Sequence, residues 1–295
     1  MKKLNAFGPW ILLFLVLLTA IPVILHYKGF NFAKILGVMV VVGIVTALWI
    51  WRINARKKAP RNERVQIDTN DKFWLKEHIS FYRKLKKDDQ KTFRDRLGIF
   101  LADVTITEID KEMPDKSTCL YVGSSAVIAF WGLPYWNYAD LQEVIVYPSN
   151  FDEDNQLNER GMIGGKVYHG GIMDRTMILS LPELKKGFAI DNDKKNVGVH
   201  EFAHLLDKSD GSLDGVPPEM GKHDREVWTQ LMEKEIEAIA DDDSTVPEYG
   251  ATNKAEFFAV VTSYYKECPK LLKINHRELY EVLDRYYGKD LSADK

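Results

Sequence analysis

Cysteine is nearly absent. The 295 residues hold two, Cys119 and Cys268, far apart and in no CxxC spacing. That excludes a disulfide framework and a cysteine-built metal site, and it fits a reducing compartment. No internal repeat is visible, so the length suits one sizeable folded domain plus an appendage. Positive charge is scarce over most of the chain. Residues 1–64 hold ten of the 40 Lys and Arg residues and one of the 43 acids. Residues 65–295 keep 30 bases against 42 acids, a net −12. A domain this acidic repels a phosphate backbone, which excludes nucleic acid as the expected partner.

Charge is missing altogether from two stretches. Trp10–Leu25 is apolar except for Thr19, and Ile35–Trp51 is uncharged. Each is near the roughly 17–20 residues needed to cross a bilayer core. Trp10, Tyr27, Trp49 and Trp51 can sit at the interfaces. We read a transmembrane hairpin within residues 1–51, with helices at about 10–27 and 33–51 turning at His26–Asn31. A cleaved signal peptide is the other reading of the first run. Leu17-Leu18-Thr19-Ala20 lacks the small residue expected three before a cleavage point, and apolar residues continue beyond it. Six bases follow in Arg52–Arg64. The positive-inside rule puts them, and the domain after them, on the cytoplasmic side under either reading. The expected partners are therefore a lipid bilayer and whatever the domain acts on.

Residues 52–69 read as a basic linker and 70–290 as one folded domain. Apolar spacing suggests a single helix through Phe73, Trp74, Ile79, Tyr82 and Leu85, and another through Phe93, Leu97 and Phe100. Val104–Ile109, Val144–Tyr147 and Met177–Leu181 read as strands, the last stopped by Pro182. Cys119–Leu133 reads as a buried helix and Asn150–Gly171 as loop or irregular hairpin. Helices are expected at 195–207, 225–240, 253–267 (with Thr252 as a possible N-cap) and 278–287. The fold class is α+β, a small sheet before a helical second half.

The chemistry lies in His200-Glu201-Phe202-Ala203-His204. With seven histidines in the chain, a chance HExxH is on the order of one in a hundred. Histidines four apart share one helix face, so both imidazoles can reach one ion at roughly 2.0–2.1 Å. Glu201 projects beside that face, placed to take the proton from a water activated by the metal. A catalytic zinc wants a third protein ligand. No HxxGxxH follows His204; His223, His276 and many acids lie downstream. Glu256 stands out, because Phe257, Phe258, Val260 and Val261 around it point to partial burial. A buried carboxylate needs a partner, and a metal is one; the alternative is a surface-facing helix acid. Asp207 is either an acceptor for a ligand imidazole or a surface acid at the helix end. His78 and His169 read as ordinary structural residues.

Together, His200–Asp207, Tyr249–Ala259, Val144–Pro148 with Phe151, and Ile178–Pro182 resemble the Mlc titration factor A family of glucose-regulated metallopeptidases. The resemblance runs from about Trp74 to Gly288. It implies a zincin-like fold, similar to the catalytic domain of anthrax lethal factor. It also implies a gluzincin site: one Zn2+ per chain held by His200, His204 and Glu256. Tyr249 matches the family's tyrosine seven residues before that glutamate; it either stabilises an oxyanion or packs. The membrane hairpin is extra to the family pattern, and the stretch between His204 and Tyr249 is shorter than in the founding member. The expected function is zinc-dependent hydrolysis of peptides or proteins. The alternative is a membrane-tethered zinc protein that binds a cytoplasmic regulatory protein, such as a transcription factor, without cleaving it.

Overall fold

The computed structural model describes residues 64–134, 138, 141–151, 164–167, 175–190, 192–217 and 220–288. The two apolar runs, most of the linker and His169 lie outside the described residues. Among the described residues no helix is long and apolar enough to cross a membrane.

The described chain opens with α1 (Thr69–His78), started by a capping box. Asp68 accepts from the Asp71 N–H and Asp71 from the Asp68 N–H, each at 2.9 Å. The single helix expected here is two. Ile79 is extended (φ −113°, ψ 92°) and separates α1 from α2 (Ser80–Lys84). With that break Leu75, Ile79 and Tyr82 are all fully buried in one core. α3 (Lys87–Asp103) buries Phe93, Leu97 and Phe100. After β1 (Thr105–Glu108) comes α4 (Lys116–Ala129), buried on nearly every side, as a helix enclosed by other elements must be.

Four strands make one sheet in the order β1–β2–β4–β3. β2 is Glu143–Tyr147, β3 Gly165–Val167 and β4 Thr176–Ser180. β1 pairs parallel to β2 and β2 parallel to β4, while β3 runs antiparallel along the outer side of β4. All five residues of β4 are buried, so Met177, Ile178 and Leu179 follow one another without polar alternation. β3 falls in the stretch read as loop. It has three residues, too few for period-two alternation to show.

Pro182 follows the end of its strand as expected, and both it and Pro269 also open a new helix. Pro182 lies in the first turn of α5 (Leu181–Ala189), capped by Ser180, and Pro269 opens α9 (Pro269–Asn275). In a first turn the backbone N–H has no helical partner, so proline's missing donor costs little. The remaining helices are α6 (Val197–Asp207), α7 (Lys222–Ala240), α8 (Lys254–Glu267) and α10 (Arg277–Tyr287). The result is a mixed α+β fold with a small sheet and a helical C-terminal half.

α6 lies at the centre. Gly198 lets it approach α4 so closely that a Cβ there would stand 2.1 Å from Ser125 Oγ. Phe202 packs edge-on to Phe100, with ring centroids 5.6 Å apart. On its other side α6 packs against α8. The far end of α8 is fastened by buried polar contacts. Lys266, 3 % exposed, donates to the Trp131 carbonyl at 2.8 Å and lies 3.2 Å from the Tyr287 ring centre. Arg96 donates to the carbonyls of Phe130 (3.3 Å) and Leu133 (2.9 Å). Both side chains therefore donate to carbonyls just beyond the C-terminal end of α4. Burial, then the nearby Arg96 charge, holds the Lys266 amine well below its ordinary pKa.

Candidate metal centre

The helix that carries His200, Glu201 and His204 begins at Asn196, whose side chain accepts from the Val199 N–H at 3.0 Å. The same side chain donates to the Gly187 carbonyl at 3.0 Å, tying α6 to α5. The two imidazoles leave α6 on one face, with Nε2 atoms 3.2 Å apart. Glu256 comes from the first turn of α8. Asn253, not Thr252, caps that helix and accepts from the Glu256 N–H at 2.9 Å. The cap fixes the backbone of Glu256 and turns its side chain towards α6. Its Oε2 lies 2.9 Å from His200 Nε2 and 3.4 Å from His204 Nε2. The Glu256 side chain is 17 % exposed, so it is not a surface-facing acid.

Among the described residues these three form the cluster that could hold a metal ion, with ligand atoms all within 4.8 Å of one another. Bonds of roughly 2.0–2.1 Å in a tetrahedron place neighbouring ligand atoms about 3.3–3.4 Å apart. The separations of 2.9, 3.2 and 3.4 Å are close to that spacing. Two nitrogens and one carboxylate oxygen suit zinc, and three protein ligands match the open type of zinc site. The residues present therefore fit the ion.

The electrostatics agree with a shared cation. Burial pushes the Glu256 carboxyl up, but hydrogen bonds from His200 and His204 outweigh it and bring it down to about 2. Burial opposes charge on His204, yet the hydrogen bond to Glu256 and the carboxylates of Glu201, Glu256 and Asp207 leave its pKa raised. Glu201 is 6 % exposed. Burial raises its carboxyl above the ordinary value, although the adjacent imidazoles pull the other way. Its side chain lies against β3, where the backbone of Gly165 faces it.

Tyr249 sits in a 3₁₀ turn, Glu248–Ala251, with its ring 5.8 Å from that of His200. At 57 % exposure it stands at the rim rather than in the packed interior. Partial burial raises its hydroxyl pKa, followed by the charges of Glu256 and Glu201. Asp207 matches neither expectation. It is fully buried, so it is no surface acid. Its Oδ2 accepts from the Gly215 N–H at 2.9 Å, and its Oδ1 has no hydrogen-bond partner among the described residues. Burial lifts its carboxyl to about 6 despite the Gly215 bond. His276 belongs elsewhere, bonded to Glu235 (3.2 Å) and Thr245 (2.7 Å). His223 is exposed in the first turn of α7, and His78 stacks on Trp74 at 4.5 Å.

Comparison with known proteins places the chain in a family. A Synechocystis sp. protein described as uncharacterized is 26% identical over 264 residues, covering 84% of this chain and 94% of its own. Mlc titration factor A of Pectobacterium atrosepticum is 31% identical over 160 residues, and that of Serratia proteamaculans 28% over 159. Each match covers 50% of this chain and 59% or 60% of the relative, so the chain spans about three fifths of those proteins. The model of one family, the glucose-regulated metallo-peptidases M90, matches residues 51–288, and the chain belongs to that family.

Proposed function

We propose that this protein hydrolyses peptide bonds with one zinc ion held by His200, His204 and Glu256, at the cytoplasmic face of a membrane. The convergence of those three side chains beside a buried Glu201 carries the reading. Zinc held there would supply Lewis-acid polarisation of the scissile carbonyl. The chain's own residues do the rest. Glu201 holds the attacking water by hydrogen bond, takes its proton, and returns that proton to the leaving amine. Asn196 and Asn253 hold the first turns of the two helices, so the groups are oriented before substrate arrives. Tyr249, at the rim, has a hydroxyl that can donate to the oxygen on which negative charge develops.

The chain from about residue 61 onward should bind one zinc per molecule. Elemental analysis of the purified protein checks this; no stoichiometric transition metal after zinc reconstitution would sink the reading.

The membrane placement rests on the apolar runs at 10–25 and 35–51 and on the six bases that follow. A C-terminal alkaline phosphatase fusion in a bacterial host should be inactive, and a cytoplasmic reporter at the same point active. The opposite pattern would place the domain outside.

A second reading is a tethered binder of a regulatory protein, favoured by the name titration factor that the relatives carry. Glu201 argues for catalysis, because a structural zinc site needs no general base and is closed by four protein ligands. Turnover of a peptide library with and without chelator separates the two.

A further inference from the structure

We infer that Gly165, on the edge strand β3, is a positioning residue that sets where the Glu201 carboxylate lies. The inference rests on the proposed role of Glu201 as the proton acceptor. A Cβ built on Gly165 would stand 2.6 Å from Glu201 Cγ, 2.8 Å from Oε1 and 2.9 Å from Cδ. Real Cβ atoms essentially never approach so closely, so one partner must move. Glu201 is the partner able to move, through its side-chain torsions. The backbone of Gly165 is fixed in the sheet, in register with Leu179 of β4. The three atoms nearest to that Cβ position, chain neighbours aside, all belong to Glu201. The hydrogen atoms of Gly165 therefore form a wall against which the glutamate packs.

The neighbouring glycine gives an internal contrast. A Cβ on Gly164 would meet Cβ and Cγ of Glu183 at 3.1 Å and Cγ2 of Val197 at 3.4 Å, with no atom of Glu201 among its nearest contacts. Adding a methyl group at 164 or at 165 changes backbone entropy alike. Only the change at 165 touches the proposed base. A displacement of about 1 Å at a reacting group can cost on the order of 100-fold in rate.

The test is a set of variants in the full chain. Gly165→Ala should lower kcat about 10- to 100-fold, with KM and zinc affinity close to parental, and Gly164→Ala should stay near the parent. In a Glu201→Gln background, Gly165→Ala should cause no further loss, because the positioned group no longer takes the proton. A readout without zinc comes from carbon-13 NMR of the metal-free protein. The Glu201 carboxyl resonance, assigned by its absence in Glu201→Gln, should shift in Gly165→Ala and not in Gly164→Ala. If Gly165→Ala folds poorly, Glu201→Ala should restore its melting temperature by removing the atoms it strikes. The inference is overturned by an unshifted resonance with parental kcat, by a further loss in the Glu201→Gln background, or by no rescue from Glu201→Ala. A parent protein that cleaves nothing would defeat the proposed function instead; the resonance and the melting temperatures would still decide the role of Gly165.

Discussion

Glu201→Gln should lower peptide hydrolysis by about 10²–10⁴-fold, the usual cost of losing a general base, and should leave zinc binding intact. The side chain is not among the clustered ligand atoms. The amide is nearly isosteric and still hydrogen-bonds water, but it cannot accept a proton. Burial of a neutral amide in place of a carboxylate also removes a charge from a site where Glu201 is 6 % exposed. The melting temperature should therefore hold or rise. Kinetics with and without added zinc, together with metal content, check the outcome. Near-normal turnover with full metal would show that Glu201 is not the base.

Glu256→Gln should fail in the opposite order, with zinc affinity falling first and activity following. Replacing groups that merely support metal ligands already costs about 10–100-fold in affinity, so loss of a charged ligand should exceed that range. Excess zinc should partly restore activity in Glu256→Gln and never in Glu201→Gln. The metal-free protein offers a second measure. The Glu256 carboxyl is held at about 2, below its ordinary 4.5. A depressed acid stabilises the fold above the unfolded value and loses that contribution as pH falls towards 2. His204 is raised above 6.5, so its contribution is present below that value and lost as pH rises past its folded one. Metal-free parent should therefore melt higher than Glu256→Gln between about pH 4.5 and 6.5, with the gap closing towards pH 2. A gap independent of pH would mean that the pair at 2.9 Å does not act through charge.

Much of this centre is legible in the chain because its parts are local. His200 and His204 are one helical turn apart, and Asn196 caps their helix within four residues. Glu256 follows Asn253 by the three residues that an N-cap bond spans. The apolar run of β4 and the all-round apolar α4 likewise carry their burial in their composition. What is not legible depends on distant partners or on backbone that breaks a local pattern. Ile79 fits a continuous helix by spacing, yet adopts an extended conformation to reach the core. Pro182 and Pro269 carry the same sign for a helix start as for a stop, and only the chain after them decides. Asp207 reads as a helix-end acid until the loop through Gly215 folds over it. Gly165 is 36 positions from Glu201, and nothing in either segment marks their contact.

The donors at the end of α4 bear on how the proposed metal would be exchanged. Lys266 fixes one end of α8 to the Trp131 carbonyl while Glu256 projects from the other end. The helix holding the third ligand is thus ordered by the apolar core and these bonds, none of which involves the metal. In zinc fingers the ion and the fold arrive together, so a chelator denatures them. Here the helices that carry His200, His204 and Glu256 are packed through contacts that do not run through a metal. On the proposed reading, zinc should therefore leave and return, or yield to another divalent ion, with little change in the melting temperature. If the proposed hydrolysis holds, metal supply would then switch it off and on again without unfolding the protein.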